Sequence, residues 1–206
     1  MVLKRKTGQR LIWWFIFSSA LMPFLWLTYA AFSQKLGADP AKEIVLETGD
    51  WALRLLWLCL AITPVKMLLG WSWLVKYRRM IGLYSFFYVT LHFLSYTTFI
   101  VGWQLDVLIT EITQRPYAIV GFIAFVLLIP LAVTSTKKMQ KRLKKRWLTL
   151  HKLVYVIGLL ALLHIVWQIR SDFSEALAYG VILCYLLGYR YFKRVSKSKA
   201  GVFVKN

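Results

Sequence analysis

Three histidines, His92, His151 and His164, are the residues of this 206-residue chain whose type and spacing could do chemistry. Each sits in an apolar stretch: His92 in LYSFFYVTLHFLSYTTFIV, His151 and His164 in WLTLHKLVYVIGLLALLHIVW. An imidazole surrounded by hydrocarbon is costly unless it is paired, lies on a water-filled path or binds a metal. His151 and His164 lie 13 residues apart on one expected helix, which is roughly 20 Å along its axis at ~1.5 Å per residue. One histidine would then approach each face of a bilayer core about 30 Å thick. Two ligands at two depths, with a third on another helix, suit the transfer of electrons across a membrane on stacked haems.

The elements that must position these residues are apolar helices. The chain is 59% hydrophobic where about 45–50% is usual, and apolar runs alternate with short charged segments. The composition predicts an all-α fold: one polytopic domain over residues 1–206, with six transmembrane helices. The expected spans are 11–32, 51–70, 80–101, 117–135, 148–168 and 174–192. The N-terminal apolar run is long and carries no small-residue cleavage site, so it is expected to be retained as the first span. Cys59 and Cys184 fall in apolar runs with no partner near in sequence and are expected as buried small hydrophobes.

The net charge of +19 raises nucleic acid as a partner, and its distribution argues against that. All eight acidic residues (Asp39, Glu43, Glu47, Asp50, Asp106, Glu111, Asp172 and Glu175) fall in the first, third and fifth connections or at their edges. Basic residues crowd the other connections: Lys4, Arg5, Lys6 and Arg10, then Lys76, Arg78 and Arg79, then KKMQKRLKKRW at 137–147 and the tail from Arg190. This is the positive-inside pattern of six helices with both termini cytoplasmic. The 137–147 segment is explained as a topology determinant. It also suits contact with anionic lipid or the docking of an acidic soluble electron donor.

No internal repeat is evident. The longest stretch outside the spans, 33–50, is broken by Gly37 and Pro40, with AKEIVLETG expected as an amphipathic turn or two at the outer interface. A second outer loop is expected at 102–116, ended by Arg115 and Pro116, since proline is tolerated in a first helical turn. Pro23, Pro64 and Pro130 are expected to kink their helices, with neighbouring helices satisfying the released carbonyls. The stretch after the sixth span is too short for a nucleotide- or flavin-binding domain, and the chain has no glycine-rich phosphate loop. A soluble electron partner must then be another polypeptide, unless the quinone pool serves.

Depth pairs two of the histidines. His92 lies about 12 residues into the third span and His164 about 16 into the fifth, both counted from the inside. They are expected to face each other across a haem, since bis-imidazole ligation between bundle helices holds haem well. His151 lacks such a partner. Fourteen residues before His92 stands Arg78, on nearly the same helical face. It is an unlikely iron ligand because it stays protonated. Arg78 suits a haem propionate or a flavin phosphate, or serves as a positive-inside anchor beside Arg79. One tension remains: 13 residues of ideal helix rotate about 140° from the starting face. Either the fifth helix is overwound, with Gly158 the expected place, or two haems approach it from different azimuths.

RRMIGLYSFFYVTLHFLSY, the pair HKLVYVIGLLALLH, and the segments MPFLWL, LGADP, ETG, ITQRPY and LAVTST together resemble the MsrQ (YedZ) family over nearly the whole chain. That family belongs to the ferric reductase-like transmembrane group, with NADPH oxidases and ferric reductases. The resemblance implies a b-type haem subunit of the bacterial inner membrane. It would pass electrons to MsrP, a periplasmic molybdopterin enzyme that reduces methionine sulfoxide in oxidised envelope proteins. Quinol or a cytosolic flavin reductase is the implied donor, and FMN is an associated cofactor. Carried over by residue, His92 and His164 match the outer haem pair and His151 the inner-haem histidine. Arg78 stands where the wider group has a fourth histidine, which makes one haem the firm expectation and leaves a second open.

The sequence therefore points to a six-helix haem cytochrome that carries electrons without a substrate-transforming site of its own. Arg54 and Arg115 are candidate propionate or partner contacts, or interfacial anchors. Two other functions compete. One is a stand-alone transmembrane ferric reductase, whose acidic outer loops would draw cations. The other is a haem-free transporter or assembly factor with the histidines as a proton relay.

Overall fold

A computed structural model describes the backbone of residues 2–169 and 173–203 and the side chains of 8–169 and 173–193. Asp172, the side chains of Lys4, Arg5 and Lys6, and the basic tail beyond Lys193 lie outside the described residues. Among the described residues the chain is helical and contains no strand. The helices are α1 (Val2–Phe32), α2 (Pro40–Leu69), α3 (Arg78–Tyr96), α4 (Leu105–Gln114), α5 (Pro116–Val133), α6 (Lys137–Leu143), α7 (Lys145–Leu150), α8 (Leu153–Gln168) and α9 (Ser174–Phe203). They form two compact units, residues 1–59 with 76–111 and residues 60–75 with 112–206.

Four segments are long and apolar enough to cross a membrane: Gly8–Phe32, Pro40–Leu69, Pro116–Val133 and Lys145–Gln168. A fifth is available if Arg78–Val101 and Leu105–Gln114, bent by 111°, count as one span. The bend follows a π-helical turn at Thr97–Val101, where Gly102 and Trp103 both take positive φ (70° and 62°). The helix of the expected third span ends at Val101 but qualifies only together with α4, and the expected outer loop at 102–116 is largely helix. The expected sixth span falls on α9, which is not among the segments that qualify; Glu175, Arg190 and a run of tyrosines interrupt its apolar character. Large side chains such as Phe15 and Leu11 are 73% and 66% exposed on α1, a surface suited to lipid rather than water.

The expected loop at 33–50 is largely helix. α2 starts at Pro40 and runs unbroken to Leu69. Asp39 Oδ1 accepts from the Lys42 amide at 3.0 Å, Pro40 supplies a preset φ at the first helical position, and Glu43 Oε2 accepts from the Gly37 amide at 2.7 Å. The breakers in the sequence are the start signal of a longer helix. The acidic residues Glu43, Glu47 and Asp50 therefore ride on the second helix itself.

In the first unit, hydroxyls of one helix lace it to its neighbours. Tyr77, Tyr84 and Tyr88 donate to the carbonyls of Gln9, Phe17 and Ala20 on α1, at 3.2, 3.1 and 2.8 Å. Ser85 donates to Ala52 O on α2 at 2.9 Å. Tyr88 goes further: the Phe24 amide donates to its hydroxyl at 3.1 Å. The phenol therefore sits between Phe24 N–H and Ala20 C=O, two groups that would otherwise bond each other. Pro23 opens the ladder beside them, and the tyrosine fills the opening.

The second unit solves the same problem with a charge. Pro64 has no amide hydrogen to give the Leu60 carbonyl four residues back. Arg190 on α9 donates to that carbonyl from Nη2 and to Tyr155 Oη from Nη1 at 2.7 Å, its guanidinium 5.1 Å from the Tyr155 ring centre. The expectation that neighbouring helices satisfy the carbonyls released by proline holds at Pro64; beside Pro23 the tyrosine bridges the next rung instead. Cys59 is buried, with its thiol 3.6 Å from the Arg78 carbonyl. Cys184, expected to be buried, is exposed.

Candidate haem-ligand site

His92 projects from α3 within the first unit. Its Nδ1 lies 2.8 Å from the Val45 carbonyl on α2. A carbonyl can only accept, so Nδ1 carries the hydrogen and the lone pair of the neutral ring is on Nε2. The ring rests on Gly49, where a Cβ would stand 2.9 Å from Nδ1 and 3.1 Å from Cε1.

His164 has the same surroundings in the second unit. From α8 its Nδ1 meets the Tyr117 carbonyl on α5 at 2.7 Å, and a Cβ on Gly121 would lie 2.6 Å from Nδ1 and 2.8 Å from Cε1. Carbonyl, glycine and histidine follow each other at identical spacing in the two units, and every member of the second set is 72 residues beyond its counterpart. The register extends along the helices. Gly49, Ala52, Leu56 and Cys59 form one stripe of α2, and Gly121, Ala124, Leu128 and Leu131 the same stripe of α5. The six non-glycine members are all buried. The chain thus contains an internal structural repeat, which corrects the expectation of none. The sequence hid it because it is carried by backbone carbonyls and by size at a few helix positions. Its visible signal was small: two glycines, each 43 residues before a histidine.

His151 is held differently. It caps α7, its Nδ1 lies 3.1 Å from the Trp147 carbonyl one turn back, and its ring stacks on Trp147 with centres 3.9 Å apart. Trp147 is itself fixed, its indole donating to Thr134 O at 3.0 Å. Here too Nδ1 is the donor and Nε2 carries the lone pair.

Between α7 and α8 the backbone tightens. Lys152 N bonds to Thr149 O, and Tyr155 N to Lys152 O, both three residues back as in a 3₁₀ turn. Overwinding, one of the two alternatives the 13-residue spacing left open, has local support at His151–Lys152 rather than at Gly158. Gly158 lies in regular α8, its open side facing Leu60 and Leu183. About three residues at ~2.0 Å rise in place of ~1.5 Å lengthen the His151–His164 interval to ~21 Å. That equals 14 residues of α-helix, the interval from Arg78 to His92 in continuous α3. Arg78 begins α3, and its carbonyl receives the Cys59 thiol.

The remaining candidates are engaged locally. Arg54 pairs with Asp50 at 3.5 Å and covers the Trp51 ring at 5.1 Å. Arg115 donates to Tyr117 Oη at 2.9 Å. Among the described residues no three His, Cys, Asp or Glu side chains converge on a common point.

The residues fit a haem-type ligand set. Each histidine presents the tautomer an iron-binding imidazole needs, with the other nitrogen tied to a carbonyl, which orients the ring and raises its basicity.

Residues 48–162 match the family described as ferric reductase like transmembrane component. A relative from Polaromonas naphthalenivorans (strain CJ2), named protein-methionine-sulfoxide reductase heme-binding subunit MsrQ, is 45% identical over 190 residues, covering 91% of this chain and 87% of the relative. Relatives of the same name from Xanthomonas axonopodis pv. citri and Xanthomonas campestris pv. campestris are each 48% identical over 171 residues, covering 83% of this chain and 78% of theirs. No solved structure matches the chain. With the family match spanning over half its length and these relatives covering most of it, the chain is a multi-pass membrane protein that belongs to the MsrQ family, within the ferric reductase-like transmembrane group.

Proposed function

We propose that this protein is the haem-binding membrane subunit of a protein-methionine-sulfoxide reductase system. It passes electrons from quinol or a cytosolic flavin reductase to a periplasmic MsrP-like molybdopterin enzyme. The observation that carries the proposal is the pair of equivalent settings at His92 and His164, each with Nδ1–H on a carbonyl and Nε2 as the donor atom. Family membership supports it, since the relatives are named as heme-binding subunits.

In this proposal His92 and His164 would hold the iron of a b-type haem, and His151 is the residue that would hold a second haem if two are bound. The haem would supply one-electron carriage. Val45 O and Tyr117 O keep the hydrogen on Nδ1, Gly49 and Gly121 make room for the rings, and Trp147 orients His151. Arg78 suits a propionate or the phosphate of FMN, because a guanidinium stays charged and bonds oxyanions in pairs. Lys137, Lys138, Lys141, Arg142, Lys144, Lys145 and Arg146 supply charge for anionic lipid or an acidic donor.

The topology belongs to the same proposal. The whole chain acts as one ferric reductase-like domain in the inner membrane, crossing six times with both termini cytoplasmic. Its support is the alternation of acidic and basic connections. Reduced, purified protein is expected to show b-type absorption bands, and to reoxidise when an MsrP-like partner and methionine sulfoxide are added. Absence of the bands would remove the haem. Bands that persist in the presence of partner and sulfoxide, but fade with a ferric complex, would favour a stand-alone ferric reductase.

A further inference from the structure

The two units place the same three groups together at the same spacing, and one member of each set is a residue with no chemistry of its own. We infer that Gly49 and Gly121 are positioning residues. Each is a gap in a helix surface through which an imidazole from another helix reaches the carbonyl one turn earlier, and so is held in the Nδ1–H tautomer and in one ring plane. The inference rests on the assignment of His92 and His164 as ligands and adds to it the residues that set their chemistry.

Helix geometry requires a small residue at this place. The carbonyl of residue n points along the helix toward the amide of n+4, and Cβ atoms lean back over the preceding turn. A side chain at n+4 therefore stands over the carbonyl at n. Glycine is at n+4 in both units, and the imidazole fills the gap: a Cβ would lie 2.6 Å from His164 Nδ1 and 2.9 Å from His92 Nδ1. Other helical glycines impose no such demand. At Gly180 a Cβ would meet Leu162 at an ordinary 3.7 Å. With alanine at Gly121 or Gly49 the ring must turn or withdraw, and either movement breaks the bond to the carbonyl. That bond makes Nε2 a stronger donor to a metal, so losing it weakens the axial ligand and raises the midpoint potential of the haem.

The test uses the full chain in detergent, comparing Gly121→Ala, Gly49→Ala, Gly180→Ala and His164→Ala with the parent. Haem per polypeptide, the g-values of the low-spin ferric signal and the midpoint potential are measured on each. Gly121→Ala and Gly49→Ala are expected to shift the g-values and raise the potential, or to lose at least half their haem, with the larger change at Gly121. Gly180→Ala should match the parent. Unchanged haem content, g-values and potential in both glycine variants would overturn the inference. Should Gly121→Ala fail to accumulate, proton ENDOR on the parent decides: an exchangeable hydrogen on Nδ1 supports the arrangement, and its absence overturns it. A parent whose low-spin signal survives His164→Ala would instead remove the ligand assignment. The Nδ1–H tautomer, read by ¹⁵N-histidine NMR, would then still decide whether the glycines hold the ring.

Discussion

The α2–α3 and α5–α8 regions are alike around one histidine and unlike toward the other end of the same helix. His92 and His164 both bond to a carbonyl 47 residues earlier, on a different helix. His151 bonds to the carbonyl four residues before it, on its own. The first arrangement exists only when two helices are packed together. The second is secured locally, by one turn of backbone and a stacked tryptophan. The corresponding end of α3 carries Arg78 and Arg79 and no histidine. The repeat is retained where a ring must be fixed between helices and is lost where one helix suffices, so the two ends answer to different constraints.

The largest effect that would break this comparison is on the shared pair. His92→Ala and His164→Ala are each expected to abolish the same low-spin haem signal. Survival of that signal in either variant, by optical and EPR spectroscopy, would separate the two residues. Next is His151→Ala, expected to remove a distinct component and leave the first intact. Haem quantification should then fall by about half; loss of all haem would show that the two ends are not independent.

Stability gives smaller differences. Arg190→Leu leaves the Leu60 carbonyl unsatisfied beside Pro64, at a cost of about 1–3 kcal/mol, read as a lower midpoint of thermal unfolding in detergent. Tyr88→Phe should cost less, about 0.5–1 kcal/mol, because Phe24 N–H and Ala20 C=O can re-form their own bond when the phenol oxygen leaves. An equal or larger loss for Tyr88→Phe would show that Phe24 N–H and Ala20 C=O do not re-form their own bond. The smallest effect expected is on docking: reduction by an acidic soluble donor should slow as ionic strength rises, through screening of the 137–147 cations. A rate indifferent to salt would remove that segment from the interface.

Much of this was legible from side chains alone. The apolar helices, the alternating charge, the three histidines and the prolines that needed outside partners all announce themselves through residue type. What escaped was backbone business. The start of α2 at Pro40 looked like a loop because the same Asp, Pro and Glu that break one helix begin another. The overwound turn at His151–Lys152 has no glycine or proline to mark it, and Gly158, which seemed the weak point, is a packing contact. The repeat was hidden because the carbonyls of Val45 and Tyr117 are provided equally well by any residue. Arg54 and Arg115 suit ligand and anchor alike in sequence, and their contacts with Asp50, Trp51 and Tyr117 could not be read there because they depend on the packed side chains.

The tyrosine set into the ladder of α1 also bears on how the protein is made. A ribosome delivers α1 to the membrane some sixty residues ahead of Tyr88, at roughly 5–20 residues per second. For the several seconds in between, the first helix lacks the hydroxyl that joins Phe24 to Ala20. Until then those two groups can bond each other as in an ordinary helix. The hydroxyl that bridges this rung of the first helix is therefore supplied by a residue of the third, and the packing of the early helices is incomplete until that residue arrives.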